Sequence, residues 1–280
     1  MSKTDLLANI KKLRELTGVG FKDCKLAIDE SNGDIEKSIE FLRKKGIAKA
    51  SKKMSRTASE GLALVNEKNG EISIVEINSE TDFVAKNKDF ISFCKEISEI
   101  CFSQKGDIEK INSANMKNNI SVKDNLIDLI AKIGEKITLR RAKFFSKKEG
   151  NNFSYVHSAI DKNIGKIISI VKLESSEDIK EIGSKLAMHI AASNPLSIDK
   201  KDLNKEIIDK ELDIIKAELL NSGKKPEMIE KISQGKINKF ISDNTLLNQV
   251  WIMDPKMKVS DILKDCKVLD FVRYKVGEGV

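Results

Sequence analysis

The sequence predicts an α+β protein built from several small units around a two-part core. Two stretches, near residues 61–100 and 153–192, each read as a pair of strands followed by a helix. Between residues 202 and 242 lie two long apolar-striped segments with heptad spacing. Residues 4–47 carry three short helical stripes.

The first stripe is Leu6, Leu7, Ile10, Leu13 and Leu16, closed by Thr17-Gly18. A Val19-Gly20-Phe21 loop leads to a second helix with Cys24, Ala27 and Ile28 inside. Asn32-Gly33 ends it, and Asp34 caps a third helix whose stripe is Ile35, Ile39 and Leu42. So small a core suits a docking unit, and it is expected to fold apart from the remainder. A basic connector follows with Lys49, Lys52, Lys53 and Arg56. It reads as a solvated linker helix or as a phosphate grip; no aromatic or glycine-rich loop accompanies it.

From Gly61 the pattern turns to strands. Leu62 to Val65 and Ile72 to Ile77 flank Asn69-Gly70, the signature of a type I′ hairpin turn. A helical pattern through Phe90, Ile91, Cys94 and Ile97 comes next, then an Asn-rich loop around 112–120. A helix through Leu126, Leu129, Ile130 and Ile133 breaks at Gly134, before a strand over Ile137 to Ala142. The second round has strands over Phe153 to His157 and Ile164 to Leu173. Its helix runs from about Glu177 to Ala192, with Ile182, Leu186, His189 and Ile190 as its stripe.

Ile208, Leu212, Ile215 and Leu219 line one arm of the helical hairpin; Ile229, Ile232, Ile237, Phe240 and Ile241 line the return. Asn221-Ser222-Gly223 and Pro226 form its tip. The last segment holds Trp251 to Pro255, a short helix near Val259 to Leu263 and a final strand from Phe271 to Val276. The implied units are 1–50, a linker over 51–60, core halves over 61–145 and 146–201, the hairpin over 202–243, and a C-terminal module over 244–280.

Composition narrows the function. The 280 residues carry a net charge of +7, but Lys and Glu/Asp are mixed along most helices, so the charge reads mainly as solvated faces. Aromatics are only 5%, too few for stacking platforms on single-stranded nucleic acid. Cys24, Cys94, Cys101 and Cys266 form no CxxC pair and read as reduced thiols. The chain begins with an amphipathic helix rather than an apolar signal region, and no stretch is long and apolar enough to cross a membrane, so a cytoplasmic location is expected.

The most informative stretch is Thr81-Asp82-Phe83-Val84-Ala85-Lys86-Asn87, where a strand turns into a helix. One reading is local: Thr81 or Asp82 caps the helix and Phe83 packs inward. The other is a contact surface, an acid and an aromatic at an exposed helix start. Catalytic signatures are missing. There is no GxxxxGK[ST] loop, no GxGxxG after a strand and no HExxH. His189 lies on an apolar helix face and reads as a core residue; His157, at a strand end, suits an exposed contact. Protruding units without catalytic chemistry describe a binding protein.

Taken together, the motifs resemble the elongation factor Ts family, nucleotide-exchange factors for the translational GTPase elongation factor Tu. The resemblance rests on Leu13 to Gly20 (LRELTGVG), Asp23-Cys24-Lys25, Asn32-Gly33-Asp34, Thr81 to Asn87, Lys132-Ile133-Gly134-Glu135, Ala187 to Ala192 (AMHIAA), Met253-Asp254-Pro255 and Gly277-Glu278-Gly279, in that order. It implies a ubiquitin-associated-like N-terminal domain, a two-subdomain core, a protruding coiled coil and a C-terminal module. It implies that Arg14, Phe21 and Lys25 face the partner's GTPase domain. Thr81, Asp82, Phe83 and Val84 would contact that domain near its Mg²⁺ and switch region, with Ile133 and Gly134 in the same neighbourhood. His157 would meet the partner's third domain, and Ile252 and Met253 would place the C-terminal module. No cofactor, metal, nucleotide site or specific nucleic acid is implied for the chain itself. Two departures stand out: residues 158–163 form a longer loop after His157, and Val250 occupies a place where proline is common. Outside the resemblance, a ubiquitin-like-domain binder and an RNA-binding translation protein are the competing classes. Competition with a GTPase would separate out the first, and steep salt dependence of RNA binding would mark the second.

Overall fold

The computed structural model describes residues 3–17, 19–175, 179–264 and 266–280, without the side chains of residues 3–5 and 47–49. Gly18, Glu177 and the side chain of Lys49 therefore lie outside the described residues. The architecture is mixed α and β, with two antiparallel sheets packed face to face, helices on their outer faces, and a helical pair extending from one end.

Helices α1 (Lys3–Thr17), α2 (Phe21–Glu30) and α3 (Ile35–Lys53) close around Ile10, Leu13, Cys24, Ala27, Ile28 and Leu42. The Asp34 carboxylate accepts the Lys37 N–H at 3.0 Å and starts α3. Three residues of the expected stripes face solvent instead: Leu7, Leu16 and Ile39 are 58%, 61% and 39% exposed. A helix this short offers its neighbours only one narrow stripe, and in α1 that stripe is Leu6, Ile10 and Leu13. In α3 the buried position beside Leu42 is Ser38, whose hydroxyl donates to Ala27 O at 3.2 Å and to Asp34 O at 2.6 Å.

Helix α3 runs well past its apolar stripe. It continues to Lys53 and lies along α7 (Val122–Ile133). Arg43 pairs with Asp124 at 2.9 Å, and Ala50 is buried in the main core. The three-helix unit is thus stacked on the core through one continuous helix.

The first sheet has the order β3-β2-β1-β5, made of β1 (Glu60–Lys68), β2 (Glu71–Ser79), β3 (Ile137–Phe145) and β5 (Ile164–Gly165). Asn69 and Gly70 both have positive φ, 54° and 80°, as a type I′ turn requires. The short α4 (Asp82–Ala85) and then α5 (Lys88–Ser103), α6 (Ile108–Ser113) and α7 cover one face. The second sheet, β4 (Asn151–His157), β6 (Ile167–Glu174) and β7 (Lys267–Lys275), has the order β4-β6-β7 and covers the other. Between them Ala63, Val65, Ile72, Ile74 and Phe145 meet Ile168, Ile170 and Tyr274. Burial on both faces leaves β1 and β2 almost continuously buried, polar Asn66, Ser73, Glu76 and Asn78 included.

The stretch from Ile164 to Leu173, expected as one strand, serves both sheets. Leu64 and Ala63 pair with Ile164 and Gly165; from Ile167 the chain pairs with β4 and β7. Gly165 makes the crossing possible: a Cβ there would sit 2.7 Å from Val156 Cγ1 and 2.8 Å from His157 O. The final strand also lies in the second sheet, where β7 pairs along the whole of β6.

Helix α8 (Lys180–Ser193) packs on the second sheet. The helical pair, α9 (Lys205–Asn221) and α10 (Pro226–Asn244), is sealed by Leu203, Ile215, Leu219, Ile229, Ile237 and Ile241. The 17- and 19-residue arms are about 25 and 28 Å long. After it, α11 (Val259–Leu263) and Trp251 return to α8. Trp251 stacks on His189 at 5.1 Å, and His189 Nε2 bonds Gln249 Oε1 at 2.9 Å, so His189 is the hydrogen-bonded core residue its position suggested.

Candidate functional site

The Thr81–Asn87 stretch folds as a short helix of its own rather than as the first turn of a longer one. Helix α4 is only four residues long, and α5 starts afresh at Asn87, whose side chain accepts the N–H groups of Asp89 and Phe90 at 2.8 and 3.3 Å. This break decides which way each side chain points. Val84 and Ala85 turn into the main core, and Phe83 turns outward with 79% of its surface exposed. Packing of Phe83 as an inward staple is therefore ruled out. Val84, expected at the contact, is buried; it anchors the corner from below.

Capping by Thr81 or Asp82 is absent too. Thr81 makes no side-chain cap bond to its own helix. Its N–H donates to Glu135 Oε2 at 3.0 Å and its hydroxyl to Glu135 Oε1 at 2.9 Å. Asp82 is half-exposed and pairs with Lys86 Nζ at 2.7 Å, one helical turn on. That hydrogen bond holds the Asp82 carboxyl below its ordinary pKa and raises that of Lys86.

Glu135 brings the second expected segment to the same place. Ile133 is half-buried against the main core, and Gly134 ends α7 with φ +88° and no atom within 4 Å of a Cβ. Beside them, Glu80 Oε1 accepts the Lys136 N–H at 2.6 Å, and Arg56 Nη1 lies 3.2 Å from Glu80 Oε2. Burial pushes the Glu80 carboxyl up, but the Lys136 N–H and Arg56 outweigh it and its pKa is lowered. Lys136 Nζ donates to Met54 O and Arg56 O, each at 2.7 Å, and Lys53 Nζ donates to Gly134 O. Lys53 and Arg56 are thus engaged within the fold, which removes two of the cations from a phosphate grip in the connector.

The remaining site residues stand elsewhere. Arg14, Phe21 and Lys25 are exposed on the three-helix unit. His157 is exposed at the end of β4, with Tyr155 Oη 3.2 Å from its Nδ1. The loop after it is stitched back to the fold: Val65 N–H donates to Asn163 O at 3.0 Å, and Lys95 pairs with Asp161 at 2.7 Å. Ile252 and Met253 are exposed just past Trp251, and Val250 is exposed before it. Among the described residues, no cluster of His, Cys, Asp or Glu is arranged to hold a metal ion, and no helix is long and apolar enough to cross a membrane.

Comparison with known proteins gives the family. A family model described as elongation factor TS matches residues 80–278. Elongation factor Ts of Nitrobacter hamburgensis is 41% identical, over 98% of this chain and 92% of its own length. Those of Methylobacterium nodulans and Rickettsia felis are 39% and 38% identical over the same shares. The chain belongs to the elongation factor Ts family. The family match begins at Glu80, so it takes in the whole corner, and the relatives extend the similarity through the three-helix unit.

Three acidic residues of this layout are missing from the motif-based site. Glu80 and Glu135 hold the corner, and Glu76 lies fully buried between the sheets. Glu76 accepts from Arg140 at 3.0 Å, Arg141 at 2.6 Å, Asn78 at 3.0 Å and the Gly277 N–H at 3.0 Å. A lone acid inside an apolar strand pattern was the available signal for Glu76, since a buried carboxylate requires partners. Glu135 lies 54 residues from Thr81, and no local pattern announces that pairing.

Proposed function

We propose that this chain promotes release of GDP from elongation factor Tu by seating the Asp82–Phe83 corner against the partner's switch region, where Mg²⁺ and the phosphates are held. As an elongation factor Ts it is a guanine-nucleotide exchange factor without catalytic chemistry of its own. A GTPase grips GDP through loop amides, a lysine and Mg²⁺ acting together. A factor that binds a form with that site distorted weakens GDP by the same free energy by which GDP weakens the factor, and about 3 kcal/mol of coupling changes affinity about 150-fold. GTP then binds the opened site and displaces the factor.

The observation that carries this reading is the exposed Phe83 ring on an anchored four-residue helix. A large aromatic held in water by a fixed backbone offers apolar area to a partner at little ordering cost. Asp82 contributes charge and direction. Its bond to Lys86 is a surface pair and is readily exchanged for a partner contact.

Around the corner we read a ubiquitin-associated-like docking domain over 1–50 with Arg14, Phe21 and Lys25 toward the GTPase domain, and a linker over 51–60. Core halves over 61–145 and 146–201 follow, the latter presenting His157 to the partner's third domain. A coiled coil over 202–243 and a C-terminal module over 244–280 with Ile252 and Met253 at the interface complete the chain. The cytoplasm is where such a partner is met. The reading is tested by mixing the chain with elongation factor Tu carrying labelled GDP. Release should accelerate, and purified chain alone should hydrolyse no GTP; persistent GTPase activity of its own counts against it.

A further inference from the structure

We propose that Glu135, with Glu80 beside it, is a positioning residue for exchange: it fixes the direction in which the chain leaves β2 and so holds the Phe83 ring and the Ile133–Gly134 turn at one spacing. The inference rests on the reading that Phe83 meets elongation factor Tu.

The ladder between β2 and β3 ends where Ser79 faces Ile137. Beyond it two carboxylates replace main-chain carbonyls as acceptors. Lys136 N–H donates to the Glu80 side chain, and Thr81 N–H donates to the Glu135 side chain. The arrangement is reciprocal, each acid bonding the main chain that flanks the other, and charged acceptors make stronger bonds than the carbonyls they replace. Arg56 beside Glu80, and Lys136 Nζ on Met54 O and Arg56 O, tie the pair to the end of α3 and its connector.

Helix α4 cannot set its own direction. A single turn of four residues is not stable alone. Val84 and Ala85 fix its underside, which leaves rotation about the Thr81 end to be fixed by something else. Thr81 is extended there, φ −125° and ψ 158°, with amide and hydroxyl both directed at Glu135 rather than at the helix. The hydroxyl that would ordinarily cap α4 is thus given over to aiming it.

Labelled-GDP release from elongation factor Tu is measured over a range of concentrations of full-length wild type, E135A, E135Q, F83A and the E135A/F83A double variant, with melting temperatures in parallel. E135A should lower the maximal release rate about tenfold or more, with a smaller change in the half-saturating concentration. E135Q should recover most of that rate, because its amide can accept the Thr81 N–H and donate to the hydroxyl. Added to F83A, E135A should cost less than about twofold more, since the ring it aims is gone. If E135A does not fold, T81V removes one bond while keeping the β-branched shape, and should show the same pattern at smaller size. Wild-type maximal release by E135A (or by T81V in its place), or a full multiplicative loss on top of F83A, overturns the proposal. F83A slow with E135A normal overturns the clasp alone; F83A at the wild-type rate overturns both the clasp and the corner reading.

Discussion

Phe83→Ala is the sharpest perturbation of the corner. Phe83 is 79% exposed in the free chain, and an aromatic residue of this kind offers roughly 150–250 Å². Complete burial against a partner at about 25 cal/mol per Å² would be worth at most about 5 kcal/mol, and about 1.5–3 kcal/mol is the usual worth of such a side chain. If that contact forms only once the switch region has moved, its loss raises the barrier to GDP release and leaves initial docking nearly untouched. The maximal release rate should then fall about ten- to a hundred-and-fifty-fold. The free chain should not notice, because the ring packs on nothing that holds the fold; its melting temperature should stay within about 1 °C of wild type. Stopped-flow release of labelled GDP and a thermal melt on the same preparation read both quantities. A variant that melts several degrees lower yet exchanges normally per folded molecule would refute the reasoning.

Removing residues 1–50 should lower the melting temperature of the remainder by several degrees in circular dichroism, because the cut strips α7 of its partner and takes Ala50 from the core. Glu76→Ala should destabilise by about 1–3 kcal/mol, because the half-buried Arg140 and Arg141, the Asn78 amide and the Gly277 N–H lose their shared acceptor. Burial raises the Glu76 carboxyl, but the Gly277 N–H, Arg141 and Asn78 outweigh it and leave its folded pKa below the ordinary 4.5. Its stabilisation is therefore complete above about pH 5 and fades as pH falls through the folded value; Glu76→Gln should flatten that acid limb in a pH series of melts. Gly134→Ala meets open space and is charged only for its left-handed backbone, about 1–2 kcal/mol, or roughly 2–8 °C in a melt.

Local grammar in the sequence went far. The Asn69-Gly70 turn, the Asp34 cap, the Gly134 stop and the Gly223/Pro226 tip each follow from one or two residues and stand where expected. The corner was legible as a place but not as a geometry. That Phe83 points out and Val84 in depends on the helix breaking at Asn87, and the break depends on an Asn cap hidden inside an apparently continuous pattern. Long-range choices were not legible at all. The division of residues 164–174 between two sheets hinges on a crossing that only Gly165 fits, and α3 stacks on α7 where Gly46 comes close to Ala131, with Arg43 pairing to Asp124 at the rim. Both are decided by residues far apart in the chain, where neither periodicity nor turn chemistry carries information.

The central claim is that this chain opens the nucleotide site of elongation factor Tu through an exposed corner. The most direct test is stopped-flow release of labelled GDP from a bacterial elongation factor Tu against increasing concentrations of the wild-type chain, with excess unlabelled nucleotide to prevent rebinding. The release rate should climb well above the spontaneous rate and saturate as the complex fills. A release rate that stays at the spontaneous value at every concentration, while the two proteins still bind, would contradict that claim.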